Sequence, residues 1–523
     1  MACLLAATVS AAVLPALGQS AIPPASLGLA DALGAALSRN VGALLQRQEV
    51  VSSESRVLLN QGVFDPALTG SAGRNADRRS LRQDQTDGYA GIGLFGIDRQ
   101  VLTTSSYQLG FDRILMSGVG IATSAGVTGT DDSLARLAGT PNQTVGQIAL
   151  SVRVPLLRNA GRETVGAALD AANAELLAAR LDLQQVTAQG LFETTAAYWE
   201  YVARTRRLDV ARTSEQRALD LVGELRRLIA ADQIPAAEIE LALATVAERR
   251  VLRISAEQSL SESRRALART IGLSPAESLS LPPPRDDFPG YDGRPVDYTT
   301  EIDRLLQQAL EARTDLQAIV RREEAARFRV GAARNNLRPQ LDLNFRLASS
   351  GLTEGRPISD LNGAFLDRRS GPSAGAAVSL RWPYNNATAR GNLLGQSALL
   401  DAQSIRFRDL QASIASGLSL QVDALRRSAL QLQEVDEAVR RFAITLRNEE
   451  TKRQLGTSTL IDVINVQDRL INAALLQVQQ RQSYATAIAA LRFEIGQIVR
   501  ATDDAFEVRL GDLLNNDFAL RKD

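Results

Sequence analysis

In Leu341-Asp-Leu-Asn-Phe-Arg-Leu347 every second residue is apolar: Leu341, Leu343, Phe345 and Leu347 alternate with Asp342, Asn344 and Arg346. Successive side chains of a strand point to opposite faces, so this stretch has one greasy and one wet face. The pattern recurs in Ile148, Leu150, Val152 and Val154, set against Ala149, Ser151 and Arg153. It recurs again in Val378, Leu380 and Trp382, set against Ser379 and Arg381. A fourth candidate strand, Asp65 to Gly73, is diluted by Gly and Ala. Each such strand has lipid or core on one side and water on the other. Taken alone, the strands also fit a half-buried sheet in a soluble domain.

The flanking segments argue against a soluble domain. No proline interrupts Arg162 to Ala230 or Arg390 to Leu455. Apolar residues recur there at spacings of three and four, as in Leu425, Ala429, Leu432, Val435, Val439, Phe442 and Leu446. That is a coiled-coil-like seam. At the rise of an α-helix each segment predicts a rod about 100 Å long, which no compact domain needs. Shorter helical segments flank each rod: Leu29 to Gly62 and Pro235 to Gly272, then Ile302 to Asn336 and Leu460 to Gly496. In each half the two shorter segments together roughly match the long one, so they can stack end to end beside it. Strands are then expected at one end and a helical turn at the other.

The chain is also written twice. Ala36 to Leu68 aligns without a gap on Ala309 to Leu341, pairing Arg56-Val57 with Arg329-Val330 and Pro66 with Pro339. Ser151 to Pro155 matches Ser379 to Pro383, and Ile271-Gly272 matches Ile495-Gly496. The seam is the proline-rich stretch from Leu281 to Pro295, read as a linker rather than a packed element. The resulting division is a leader at 1–21, a first helix at 22–64, and a first β-hairpin with a long insertion at 65–154. A first helical hairpin follows at 155–272 and a linker at 273–300. The second helix is then 301–338, the second β-hairpin 339–382, the second helical hairpin 383–496 and a tail 497–523.

Composition removes most chemistry. The 523 residues contain no histidine, so Ser-His-Asp, Cys-His and histidine-ligated metal sites are excluded. Cys3 is the single cysteine, which excludes disulfides within the chain and CxxC chemistry. Basic and acidic residues number 59 each, so no basic surface for nucleic acid is implied. No enzyme activity, cofactor or metal is expected. Leu4 to Leu17 is an apolar run followed by small residues through Ala21, which reads as a secretory leader. No later stretch approaches the roughly 18 continuous apolar residues of a spanning helix, so a membrane crossing is expected by strands. Gly91-Ile-Gly93-Leu-Phe-Gly96 is a formal GxGxxG, but no helical periodicity follows it, and it reads as a glycine-rich hairpin.

Three fragments, in order within the double repeat, resemble the TolC family of outer-membrane factors. They are Leu29-Ala-Asp-Ala-Leu33, Pro155-Leu-Leu-Arg158 with Gly161-Arg162, and the turn Leu455-Gly-Thr-Ser-Thr-Leu-Ile-Asp462-Val-Ile-Asn465. The resemblance implies a mainly α fold with a transmembrane β part. It implies a homotrimer whose strands close a twelve-stranded barrel in the outer membrane of a Gram-negative cell and whose helices form a periplasmic barrel. It further implies partners: a periplasmic adaptor, an inner-membrane transporter and outer-membrane lipid, in an efflux pump or a type I secretion system. Gate residues would be Asp462, Asn465 and Ser458, and adaptor-docking tips Gln233, Glu238, Gly456 and Thr457. Asp462 has a second reading as a helix cap.

The residues themselves agree about closure. A sheet in lipid can have no free edge, and four convincing strands fall short of the roughly eight a barrel needs, so copies must complete it. Residue patterns do not choose between two and three copies. The lipid-facing set is Leu341, Leu343, Phe345, Val378, Leu380 and Trp382; Trp382 and Tyr384 flank Pro383 at the strand end and read either as interface anchors or as packing at the strand–helix junction. The connection from Asp65 to Gln147 exceeds its counterpart, Ala348 to Ser373, and holds a further alternation at Tyr107, Leu109 and Phe111, which reads either as an extra extracellular hairpin or as extra wall strands beyond the four. A periplasmic coiled-coil scaffold without a pore is the competing function; it has no use for amphipathic strands.

Overall fold

The computed structural model describes residues 26–93, 95–291, 301–368, 371–501, 506–508 and 510–514, so the expected leader lies outside the described residues. The chain forms two compact units. One comprises residues up to 46, 183–314 and 412 onward; the other comprises 47–182 and 315–411.

In chain order, α1 (Leu29–Arg39) and α2 (Val41–Gln61) lead into β1 (Ala67–Ser80). There follow α3 (Gln83–Ala90), β2 (Arg99–Ile114), β3 (Gly120–Asp132), α4 (Ser133–Leu137) and β4 (Gln143–Pro155). Next come α5 (Arg162–Val165), α6 (Ala167–Ala230), α7 (Glu238–Thr270) and α8 (Pro275–Leu279). The order continues with α9 (Ile302–Ala312), α10 (Thr314–Asn335), β5 (Gln340–Glu354), α11 (Leu361–Leu366) and β6 (Ser373–Arg381). It closes with α12 (Ala387–Gln454), α13 (Leu460–Glu494), β7 (Arg500–Ala501), β8 (Phe506–Glu507) and α14 (Leu510–Leu514). The two proline-free segments hold helices of 64 and 68 residues, the first preceded by the short α5, which Gly166 sets off from α6. No helix among the described residues is long and apolar enough to cross a membrane.

The sheet differs from expectation. Six strands, not four, form one antiparallel sheet in sequential order β1 to β6. The expected first hairpin between Asp65–Gly73 and Ile148–Val154 does not form: β1 pairs with β2, and β4 pairs with β3 and β5. The long connection supplies the two additional strands. Tyr107, Leu109 and Phe111 lie on β2, whose backbone groups are satisfied only by a strand on each side.

Two helices expected to be continuous are broken, each by one extended residue. Asn40 (ψ 122°) separates α1 from α2, and Arg313 (ψ 119°) separates α9 from α10. Asn40 caps α2 by accepting from the Ala43 amide at 3.1 Å, and its Nδ2 donates to the Thr270 carbonyl at 3.0 Å. The first break therefore abuts the end of α7. At the second break Arg313 pairs with Glu494, at the end of α13, at 2.6 Å and stacks over Phe493.

Around these breaks lie two apolar clusters. One joins Leu29, Leu33, Tyr198, Trp199, Leu267 and Ile271; the other joins Leu305, Leu418, Leu425, Leu432, Tyr484 and Leu491. Of the expected seam, Leu425, Ala429, Leu432 and Leu446 are buried and Val435, Val439 and Phe442 are half-buried. The proline-rich seam between the halves is a correction too, because it is packed where it begins. Leu281 is buried in the first cluster, and the Pro283 carbonyl accepts from the Leu27 amide at 2.9 Å. Tyr198 Oη donates to Leu27 and Asp286 at 3.0 Å, and burial raises its phenol pKa well above the ordinary value. Desolvation favours this packing because Leu281 and the backbone around it have partners to meet.

In the other unit the helices meet through Ala171, Ala174 and Ala325 and through ion pairs Glu54–Arg180, Glu175–Arg329 and Asp182–Arg322. Burial raises the Asp182 carboxyl above its ordinary value, against the pull of Arg322.

Arg313 and Glu494 keep only 9% and 20% of their side-chain surface exposed. Breaking a largely buried ion pair is costly, so Arg313→Leu is expected to cost about 3–5 kcal/mol. Arg313→Leu/Glu494→Leu is expected to recover most of that loss. Thermal unfolding of the two purified variants checks this; equal loss in both would contradict it.

Candidate functional site: hairpin tips and the apolar sheet face

The tips are two helical turns of the same design. At the second, Gly456 (φ +75°) ends α12, with its amide donating to Arg453 and that of Thr457 to Lys452. These are the paired bonds of a Schellman motif, which needs a left-handed residue at this point. At the first, Asp232 (φ +53°) takes that place, its amide bonding to Ile229 and that of Gln233 to Leu228. Gln233, Glu238, Gly456 and Thr457 are all exposed.

Beyond the second turn, Thr459 and Asp462 form a reciprocal capping box at the start of α13. Thr459 Oγ1 accepts from the Asp462 amide at 3.3 Å, and an Asp462 carboxylate oxygen accepts from the Thr459 amide at 3.1 Å and from its hydroxyl at 2.5 Å. The Thr459 hydroxyl holds the Asp462 carboxyl below its ordinary pKa. Asp462 is thus a cap, and one turn later Asn465 is exposed beside it. Ser458 donates instead to Glu449 at 2.5 Å; that contact and Lys452 depress the Glu449 pKa.

The sequence missed what joins the two hairpins. Arg453 donates through one nitrogen to both carboxylate oxygens of Glu224 at 2.7 Å. Arg249 on α7 pairs with Asp468 on α13. Between them Leu221, Val222, Leu225, Ala242 and Val246 form an apolar cluster that includes Ile464 of α13. Residues more than 200 positions apart leave no local signal of such contacts.

The second candidate site is the sheet face. Register partners sit on the same side of a sheet. Leu341 faces Leu380, Leu343 faces Val378 and Val154, Phe345 faces Val152 and Leu347 faces Leu150. Continuing outward, Ile121 faces Val152, Ala125 faces Ile148 and Leu109, and Phe111 faces Leu68. All the alternations therefore fall on one face. Asp342, Asn344, Ser379, Arg153 and Ser151 share the opposite one. Phe345, Val378, Leu380 and Trp382 are exposed, and Leu341 and Leu343 half-exposed. Trp382 and Tyr384 are exposed just past β6. Gly91 to Gly96 follows α3 and precedes β2, the reverse of a dinucleotide-binding order.

A left-handed backbone costs a side-chain-bearing residue about 1–2 kcal/mol, less for Asp. Asp232→Gly is expected to stiffen the first tip and Gly456→Ala to loosen the second. Limited proteolysis reads this directly: cleavage should slow in the former and quicken in the latter.

No known protein family's sequence pattern matches the chain, and no curated protein does. Solved structures do match. The outer-membrane channel OprN superposes with a TM-score of 0.65 at 16% identity, over 90% of each chain. VceC of Vibrio cholerae gives 0.64 at 16%, over 90% of this chain and 96% of its own. The CmeC channel of Campylobacter jejuni gives 0.64 at 13%, over 90% and 85%. Over nearly its whole length, the chain has the fold of solved outer-membrane channels.

Proposed function

We propose that the chain is one subunit of a homotrimeric outer-membrane exit channel, and that its two halves are an internal repeat. Its role is to pass cargo outward from a periplasmic adaptor and an inner-membrane transporter, in an efflux pump or a secretion system. The observation that carries this is the sheet. Six strands in phase bring their apolar alternations to one face, and among the described residues β1 and β6 each pair on one side only. Unpaired backbone groups in lipid cost several kcal/mol each, so β1 of one copy closes on β6 of the next. With six strands per chain, three copies make an eighteen-stranded wall in place of the twelve the family resemblance implies. Barrel diameter grows roughly linearly with strand number, so the opening is about one and a half times wider. The adaptor docks at Gln233, Glu238, Gly456 and Thr457.

Leu380→Arg or Leu343→Arg is expected to cost about 2–4 kcal/mol near the bilayer midplane and to reduce assembly in outer membranes. Ser379→Arg, on the opposite face, is expected to assemble normally. Outer-membrane fractionation followed by detergent extraction checks both. Equal behaviour of the two faces, or release of the wild type by salt alone, contradicts the channel.

At the tip, three copies of Asp462 form a carboxylate ring that binds cations. Asp462→Asn keeps an oxygen for the Thr459 amide but loses the charge, so the cap survives and the ring does not. In planar bilayers this variant is expected to lose block by multivalent cations, and Asn465→Asp to tighten it. Block unchanged in both variants contradicts the gate.

A further inference from the structure

The β5–β6 connection folds back onto the sheet. Gly146 and Gly351 are register partners on the apolar face, and a Cβ on either would lie 2.5 Å from the Ala364 carbonyl oxygen of α11. Neither position has room for a side chain, so the seat for α11 is built into the strands. Alongside it, between α11 and β1–β3, is a slot of about 450 Å³ whose walls include Gly70, Ala72, Tyr107, Leu109, Leu361 and Phe365.

Strand alternation puts Arg74 and Arg78 on the same face as Gly70 and Ala72, beyond the slot toward the free connections of the sheet. Both are exposed, and among the described residues neither has an acidic partner. Asp131 shares their face through the register Ala76–Thr103–Asp131, but it is engaged by Arg136. An apolar slot with two open guanidinium groups past its end is complementary to an amphiphile with an acyl chain and an anionic head. A soluble anion has no use for the slot, and a neutral lipid has none for the arginines.

We propose that this slot holds an acyl chain of a phosphorylated outer-membrane lipid, with Arg74 and Arg78 binding its phosphate groups and α11 closing over the chain. Guanidinium forks match phosphate oxygens, and arginine stems lie along apolar surface while the head reaches the polar layer. The proposal rests on the reading of the apolar face as lipid-facing.

The test is native mass spectrometry, with lipid phosphorus analysis, of the full chain extracted from outer membranes in mild detergent. Wild type is expected to retain phosphorylated lipid. Arg74→Gln/Arg78→Gln removes two charge-assisted contacts and is expected to lower retention about tenfold or more. Gly70→Leu fills the slot, where an added Cβ meets only Leu109 at an ordinary 3.5 Å, and is expected to do the same. On adding phosphatidic acid or diacylglycerol micelles, only the former should distinguish the arginine variant from wild type. Equal retention in wild type and both variants, in protein that fractionates with outer membranes, overturns the lipid site alone. A chain that fractionates with soluble periplasmic protein overturns the site and the channel reading together.

Discussion

A slip of one residue between any two neighbours of the six-stranded sheet would turn a whole strand's apolar residues to the polar side. The chain contains no such slip. From Leu68 through Phe111, Ile121, Val152 and Phe345 to Leu380, every alternation lands on the same face. That phase relation makes the sheet useful as a wall. A sheet lacking it would need a core on both sides, and most of the strand residues here are exposed or half-exposed.

A sheet with one apolar and one polar face still has two edges, and the proposed closure by copies is what would link the local pattern to a channel. The helices adjust locally to their neighbours. Their one-residue breaks at Asn40 and Arg313 let short helices meet the ends of α7 and α13, each break held by one polar side chain. At the tips the two hairpins are held together by Glu224–Arg453 and Arg249–Asp468 around an apolar patch.

The long helices were legible because nothing interrupts their periodicity over 64 and 68 residues. The capping role of Asp462 was legible because an aspartate near a helix start is a local signature. β2 announced itself only through Tyr107, Leu109 and Phe111. β3 had almost no signal, since Gly, Ala, Ser and Thr fill Gly120–Asp132 and only pairing on both sides defines it. Asn40 and Arg313 carry no glycine or proline to mark a break; tertiary partners far along the chain create it. Leu281 looked like linker because prolines surround it, and its burial depends on Tyr198 and Leu27, which no local window includes. The tip residues were found from a turn pattern, whereas their ion-pair partners lie beyond any such pattern.

The central claim is that the two free edges of the sheet are closed by further copies of this chain. The particle mass of detergent-extracted material, measured by light scattering with the detergent contribution removed, tests it most directly. The account predicts three chains per particle, with no monomer. A stable monomer carrying the intact six-stranded sheet would contradict it.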